Sequence, residues 1–128
     1  MKLYHTVIVS IIVGAALGAA TVQGLHAAAT PPGYVIAEIE VTNPDAYMKE
    51  YAPLAKKLLT EGGGTFLARG GKTEVLDGEP PRARVAIIQF ESMAKALETE
   101  NSPAYKEALK IGKKYGNFRS FVVEGVTP

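Results

Sequence analysis

Arg69 is followed at once by Gly70 and Gly71, and this triplet is where the chain comes closest to a binding motif. A guanidinium beside glycine amides, with no side chains over them, can fork onto a carboxylate or a phosphate. The same residues also suit a bend or bulge, with Arg69 paired to Glu38, Glu74 or Glu91 of its own sheet. Glu38 and Gln89 form a second set, a carboxylate and an amide on strands that should be neighbours. Facing a barrel lumen, Glu38 would have a raised pKa and could act as a general base, which makes it the one catalytic candidate. Otherwise it sits at a barrel mouth or is neutralised by Arg69 or Arg84. Tyr105 closes "SPAY" (102–105), a serine-capped helix start whose tyrosine can pack its ring and offer its hydroxyl to a pocket. Lys110, Lys113 and Lys114 read as a solvated helix face.

Other chemistries lack their residues. The only two histidines, His5 and His26, fall in the first 29 residues, and the chain has neither cysteine nor tryptophan. Beyond residue 29 a His-ligated haem, a typical zinc site, a Ser-His-Asp triad and a thiol nucleophile are all excluded. There is no P-loop and no GxGxxG, and only Glu38 with Glu40 or Glu91 approaches a carboxylate metal cluster. No cofactor and no metal are expected. Of the 14 Lys and Arg only Lys2 lies in the first 29 residues, so the remainder balances the 13 Asp and Glu. Such a chain has no basic excess to draw nucleic acid.

The elements that must position these residues begin after a leader. Residues 1–29 read as a signal peptide: Lys2, an apolar run from Val7 to Val22, and an A-x-A close at Ala27 and Ala29, with cleavage expected after Ala29. The protein would then be periplasmic or secreted, free of the membrane once cleaved. A retained anchor is the alternative, although a spanning helix wants about 20 apolar residues and this run is shorter. "TPPG" (30–33) is a stiff linker, and residues 34–128 form the domain. Alternation from Tyr34 to Val41 predicts a strand with Val35, Ala37, Ile39 and Val41 on one face, and Tyr34, Ile36, Glu38 and Glu40 on the other. Asn43 or Thr42 with Pro44 starts a helix whose apolar stripe is Tyr47, Tyr51, Leu54, Ala55 and Leu58. Pro53 should kink that helix or start a second helical segment, and Gly62–Gly64 should end it. Strands follow at 65–69 and about 84–91, with 72–78 continuing the first of them or forming a bent arm. Ser92 and Ser102 cap two further helical segments, and 118–126 is the closing strand.

The order β-α-β-β-α-β predicts an α+β, ferredoxin-like split sheet with both helical layers on one face. The other face keeps apolar residues that need a cover, which points to a homodimer of the dimeric α/β-barrel kind. "GYVIAEIEVTNPDAY" (33–47), "FLARGGKTEVLDGE" (66–79), "RVAIIQFES" (84–92), "NSPAYKEAL" (101–109) and "FVVEGV" (121–126) together resemble the domain-of-unknown-function family 1330. The resemblance implies the same ferredoxin-like, dimeric barrel fold. Family members often carry a Trp-Tyr pair just ahead of the Ser-Pro-x-Tyr stretch, which this tryptophan-free chain does not. The function expected is binding of a small organic molecule, an anion being one option, in a cleft near Arg69, Gly70, Gly71, Glu38, Gln89 and Tyr105. The alternatives are a cofactor-free isomerase or monooxygenase, and a structural or partner-binding domain.

Overall fold

The computed structural model describes residues 29–127, and the leader assigned to residues 1–29 lies almost entirely outside them. Among the described residues no helix is long and apolar enough to cross a membrane. The unit Pro31–Thr127 is built on four antiparallel strands: β1 (Gly33–Val41), β2 (Thr65–Arg69), β3 (Arg84–Phe90) and β4 (Gly116–Glu124). They lie in the order β2-β3-β1-β4, with both termini of the fold on central or edge strands of one sheet. This is the ferredoxin-like arrangement of an α+β fold.

Period two sorts the strands as the residue pattern requires. Val35 and Ile39 of β1, and Ala86, Ile88 and Phe90 of β3, are buried under the helices. Tyr34, Ile36, Glu38, Val85, Ile87 and Gln89 take the opposite, uncovered face, held in register by the pairs Tyr34 with Gln89 and Ile36 with Ile87. Phe121 and Val123 of β4 join that face and are 52% and 44% exposed.

Helix α1 has three contiguous parts: Pro44–Ala46, a π-helical turn at Tyr47–Tyr51, and Ala52–Glu61. Asn43 caps its start by accepting from the Ala46 amide at 3.2 Å. Pro53 has no amide to donate within this continuous helix, and the π-turn falls just before it, with the Ala52 amide donating to the Tyr47 carbonyl. Residues inward of that turn are Ala52, Ala55 and Leu59, with Leu54 and Leu58 only half-buried. Helices α2 (Met93–Glu100) and α3 (Pro103–Gly112) complete the layer, capped by Ser92 and Ser102. Gly112 lets α3 approach α1: a Cβ there would stand 2.8 Å from the Tyr51 ring and 3.0 Å from Phe118. The segment 72–78, expected to extend β2 or bend away, forms no strand and is an exposed arm with Leu76 at its tip, 99% exposed.

Candidate functional site

Strand β2 contains one extra residue. Phe66 pairs with Ile88 and Ala68 with Ile87, so Leu67 is bulged, and Arg69 then pairs with Ala86. Without that bulge Phe66 and Arg69 would face opposite sides of the sheet. With it both side chains turn under the helices. Gly70 follows with φ +70°, a conformation suited to glycine, and a Cβ there would collide with the Arg84 guanidinium. The glycine therefore has two tasks: it turns the chain out of the sheet and leaves room for Arg84 to lie beside it. Gly71 stands exposed at the start of the arm with nothing near its Cβ position.

Between the helices and the sheet is a cavity of about 50 Å³, bordered by Arg69, Arg84, Tyr47, Tyr51, Tyr105 and Glu100 over an apolar floor. At roughly 10–15 Å³ per water that is space for a few waters or a few ligand atoms. Val35, Glu100, Leu109 and Ser120 also line an outer groove of about 300 Å³ that reaches Leu97, Lys106 and Phe121. Glu100 stands where the two chambers meet. The whole has the form of a narrow chamber bordered by charged and hydroxyl groups beside a wider groove, the vestibule. Both have mainly apolar linings, and the groove's size is within the range of small-molecule sites.

Both arginines enter this site without a carboxylate partner among the described residues. Arg69 donates to the Ala52 carbonyl at 3.1 Å and lies 5.2 Å from the Phe66 ring centre, not against Glu38, Glu74 or Glu91. Arg84 lies over Tyr47, 5.4 Å from its ring centre. The carboxylate of Glu100 likewise has no cation against it, and burial pushes its pKa up to about 7. Tyr51 and Tyr105 share a hydrogen bond of 2.9 Å between their hydroxyls. Burial raises both phenols, as it does Tyr47, where Arg84 and Arg69 partly oppose it. Two neutral phenols can use only one proton on each other, so the accepting hydroxyl keeps a donor for a ligand oxygen.

Glu38 and Gln89 are elsewhere. Both side chains belong to the uncovered face, so the expectation that they share a cleft with Arg69 is corrected by the register. Glu38 accepts from Arg119 at 2.7 and 2.9 Å and from the Arg82 amide at 3.1 Å. These bonds hold its pKa below the usual carboxylate range, the opposite of what a buried general base requires. It borders an open concavity under the arm with Ile36, Thr73, Pro81 and Arg82. Tyr105 is in the cleft. Arg84, Tyr51 and Glu100 are the cleft residues that pattern reading does not single out, since tyrosines at helical spacing read as core and a helix-end glutamate reads as solvated. Among the described residues no group of three His, Cys, Asp or Glu is placed to hold a metal.

The family model for a domain of unknown function, DUF1330, matches residues 32–126. The chain belongs to the DUF1330 family. Among solved structures it is similar to the methylated RPA0582 protein, which another structure of the protein places in Rhodopseudomonas palustris, at 19% identity and a TM-score of 0.56, over 77% of this chain and 84% of that one. It is similar to SnoaB, a cofactor-independent oxygenase from Streptomyces nogalater, at 10% identity and a TM-score of 0.55, over 77% and 97% of the two chains. A hypothetical Arabidopsis thaliana protein matches at 17% identity and a TM-score of 0.54, over 77% and 88%. At these identities the likeness is one of fold. Comparison with curated proteins finds no match.

Proposed function

We propose that this DUF1330 domain binds a small organic acid in the chamber under the helices, with its anionic group on Arg69 and Arg84 and its apolar part in the vestibule. The observation that carries the reading is the pair of part-buried guanidinium groups lining one cavity, with no carboxylate against them among the described residues. A cation in such a place is costly unless something neutralises it, and a bound anion does so with charge-assisted bonds. The free tyrosine hydroxyl supplies a neutral donor for a second oxygen. Gly70 serves the site by making room for Arg84, and Gly71, Glu38 and Gln89 have no part in it.

The uncovered sheet face supports a homodimer. Ile36, Ile87, Phe121 and Val123 are apolar side chains on one surface, and burying them against a second copy removes them from water. The leader adds export to a periplasmic or secreted location. Native mass spectrometry of protein purified from its own cells tests both parts together. The reading expects a dimer, of chains lacking residues 1–29, that retains a low-mass acid. Ligand-free monomer would contradict it.

A further inference from the structure

We infer that Glu100 is a catalytic base for proton transfer at carbon, and that the domain isomerises an enolisable carbonyl acid between its keto and enol forms. The inference rests on the proposed binding of an organic acid in the same cleft. It adds a reaction to it.

Glu100 is the last residue of α2, and its side chain stands at the junction of chamber and vestibule. Arg69 and Arg84 come from the strand ends that pair with Ala86 and Ile39, so they approach the chamber from the β2–β3 side. A molecule with its carboxylate on the arginines and its tail in the vestibule runs beside Glu100, which with Val35, Leu109 and Ser120 lines both spaces. The groups facing Glu100 across the cleft are Tyr51 and Tyr105, and Lys106 borders the vestibule beside it. No cation pairs with it among the described residues, so the carboxylate is not held off by an ion pair as Glu38 is. Its affinity for a proton near neutral pH suits a group that must both take and return one.

The step balances without any co-reactant. Glu100 takes a proton from the carbon beside the carbonyl, and the C–H electron pair forms the enolate C=C bond while the carbonyl π pair moves to oxygen. Arginine N–H groups and the free tyrosine O–H hold the developing oxyanion. The Glu100 carboxyl then returns its proton to the enolate oxygen, giving the enol, and the reverse sequence restores the ketone. Nothing is oxidised or reduced.

Phenylpyruvate is the probe, with carboxylate, enolisable CH2 and apolar ring in one molecule. Proton NMR in deuterium oxide reports loss of the CH2 signal, and calorimetry on the same samples reports binding. The wild-type protein should accelerate exchange, with a rate that rises as pH passes through about 7. Glu100→Gln should still bind but lose at least about 100-fold in exchange rate, the low end of what general acid–base catalysis supplies. Glu38→Gln, on the other sheet face, should leave the rate unchanged. Binding without accelerated exchange, or equal exchange in Glu100→Gln, overturns the inference and leaves ligand binding standing. Absence of saturable phenylpyruvate binding removes both.

Discussion

The two faces of one four-stranded sheet use the same residue types in opposite ways. On the uncovered face, Glu38 meets Arg119 in a bidentate pair backed by the Arg82 amide, so acid and base satisfy each other in reach of water. On the helix-covered face, Arg69, Arg84 and Glu100 surround one cavity, and none has an opposite charge against it among the described residues. An exposed pair of this sort contributes little to stability and leaves no charge free for a ligand. Charges kept apart under cover destabilise the empty fold and gain when a ligand arrives. The contrast shows that residue type alone says little, and that the face a charge is given decides its use.

The largest effect that would sharpen this comparison comes from the packing beneath the helices. Phe90 is 1% exposed, and Phe90→Ala should cost about 3–5 kcal/mol in chemical denaturation. Phe121→Ala on the other face should barely change the stability of a subunit but should weaken the proposed dimer, read as a concentration-dependent sedimentation coefficient. Equal losses of subunit stability for the two would break the comparison.

Glu100 gives the next effect, and its sign is distinctive. A carboxyl whose pKa rises from 4.5 to about 7 on folding binds more protons folded than unfolded, so stability falls as pH climbs between these values and then levels off. Glu100→Gln should therefore be near neutral at pH 4.5 and more stable than wild type above pH 7, by at most about 3 kcal/mol. For a domain of this size each kcal/mol moves the melting point by about 4–8 °C. Thermal melts at pH 5 and pH 8 check it, and a variant less stable at pH 8 would show that the carboxylate is held by a partner.

Smaller changes follow. Tyr105→Phe removes the hydroxyl pair and should cost about 0.5–1.5 kcal/mol, since Tyr51 keeps its ring contacts but loses its partner. The least effect belongs to Arg119→Ala. Glu38 keeps the Arg82 amide, and its lowered pKa contributes stability that is present at neutral pH and lost only as pH falls below 4.5. At pH 7 the melting point should hardly move, and raising the salt should shrink even that difference.

Most of the fold was legible from the residues. Alternation in 34–41 and 84–90, the serine caps at 92 and 102, and the glycine stop at 62–64 all report local rules that the tertiary fold obeys. The site was legible only in part. Arg69 and Tyr105 could be singled out, but a period of two cannot reveal the extra residue at Leu67, and that bulge alone assigns Arg69 to the helix face. Glu38 meets Arg119 across 81 positions of sequence, a pairing fixed by strand order rather than by any local pattern. Glu100 looks like one more acid at the end of a charged helix until α2 is laid on the sheet and its last side chain turns inward. Pro53 was the visible sign of an irregular α1, although the form it takes, a π-turn carrying two cleft tyrosines, comes from packing.

The central claim is that the free charges under the helices, not the paired ones on the open face, meet the ligand. Calorimetric titration with phenylpyruvate tests it on two double variants. The account predicts that Arg69→Ala/Arg84→Ala weakens binding at least about 100-fold, from the loss of two charge-assisted contacts, while Glu38→Ala/Arg119→Ala binds as the wild type does. Undiminished affinity in the first variant, with loss in the second, would contradict it.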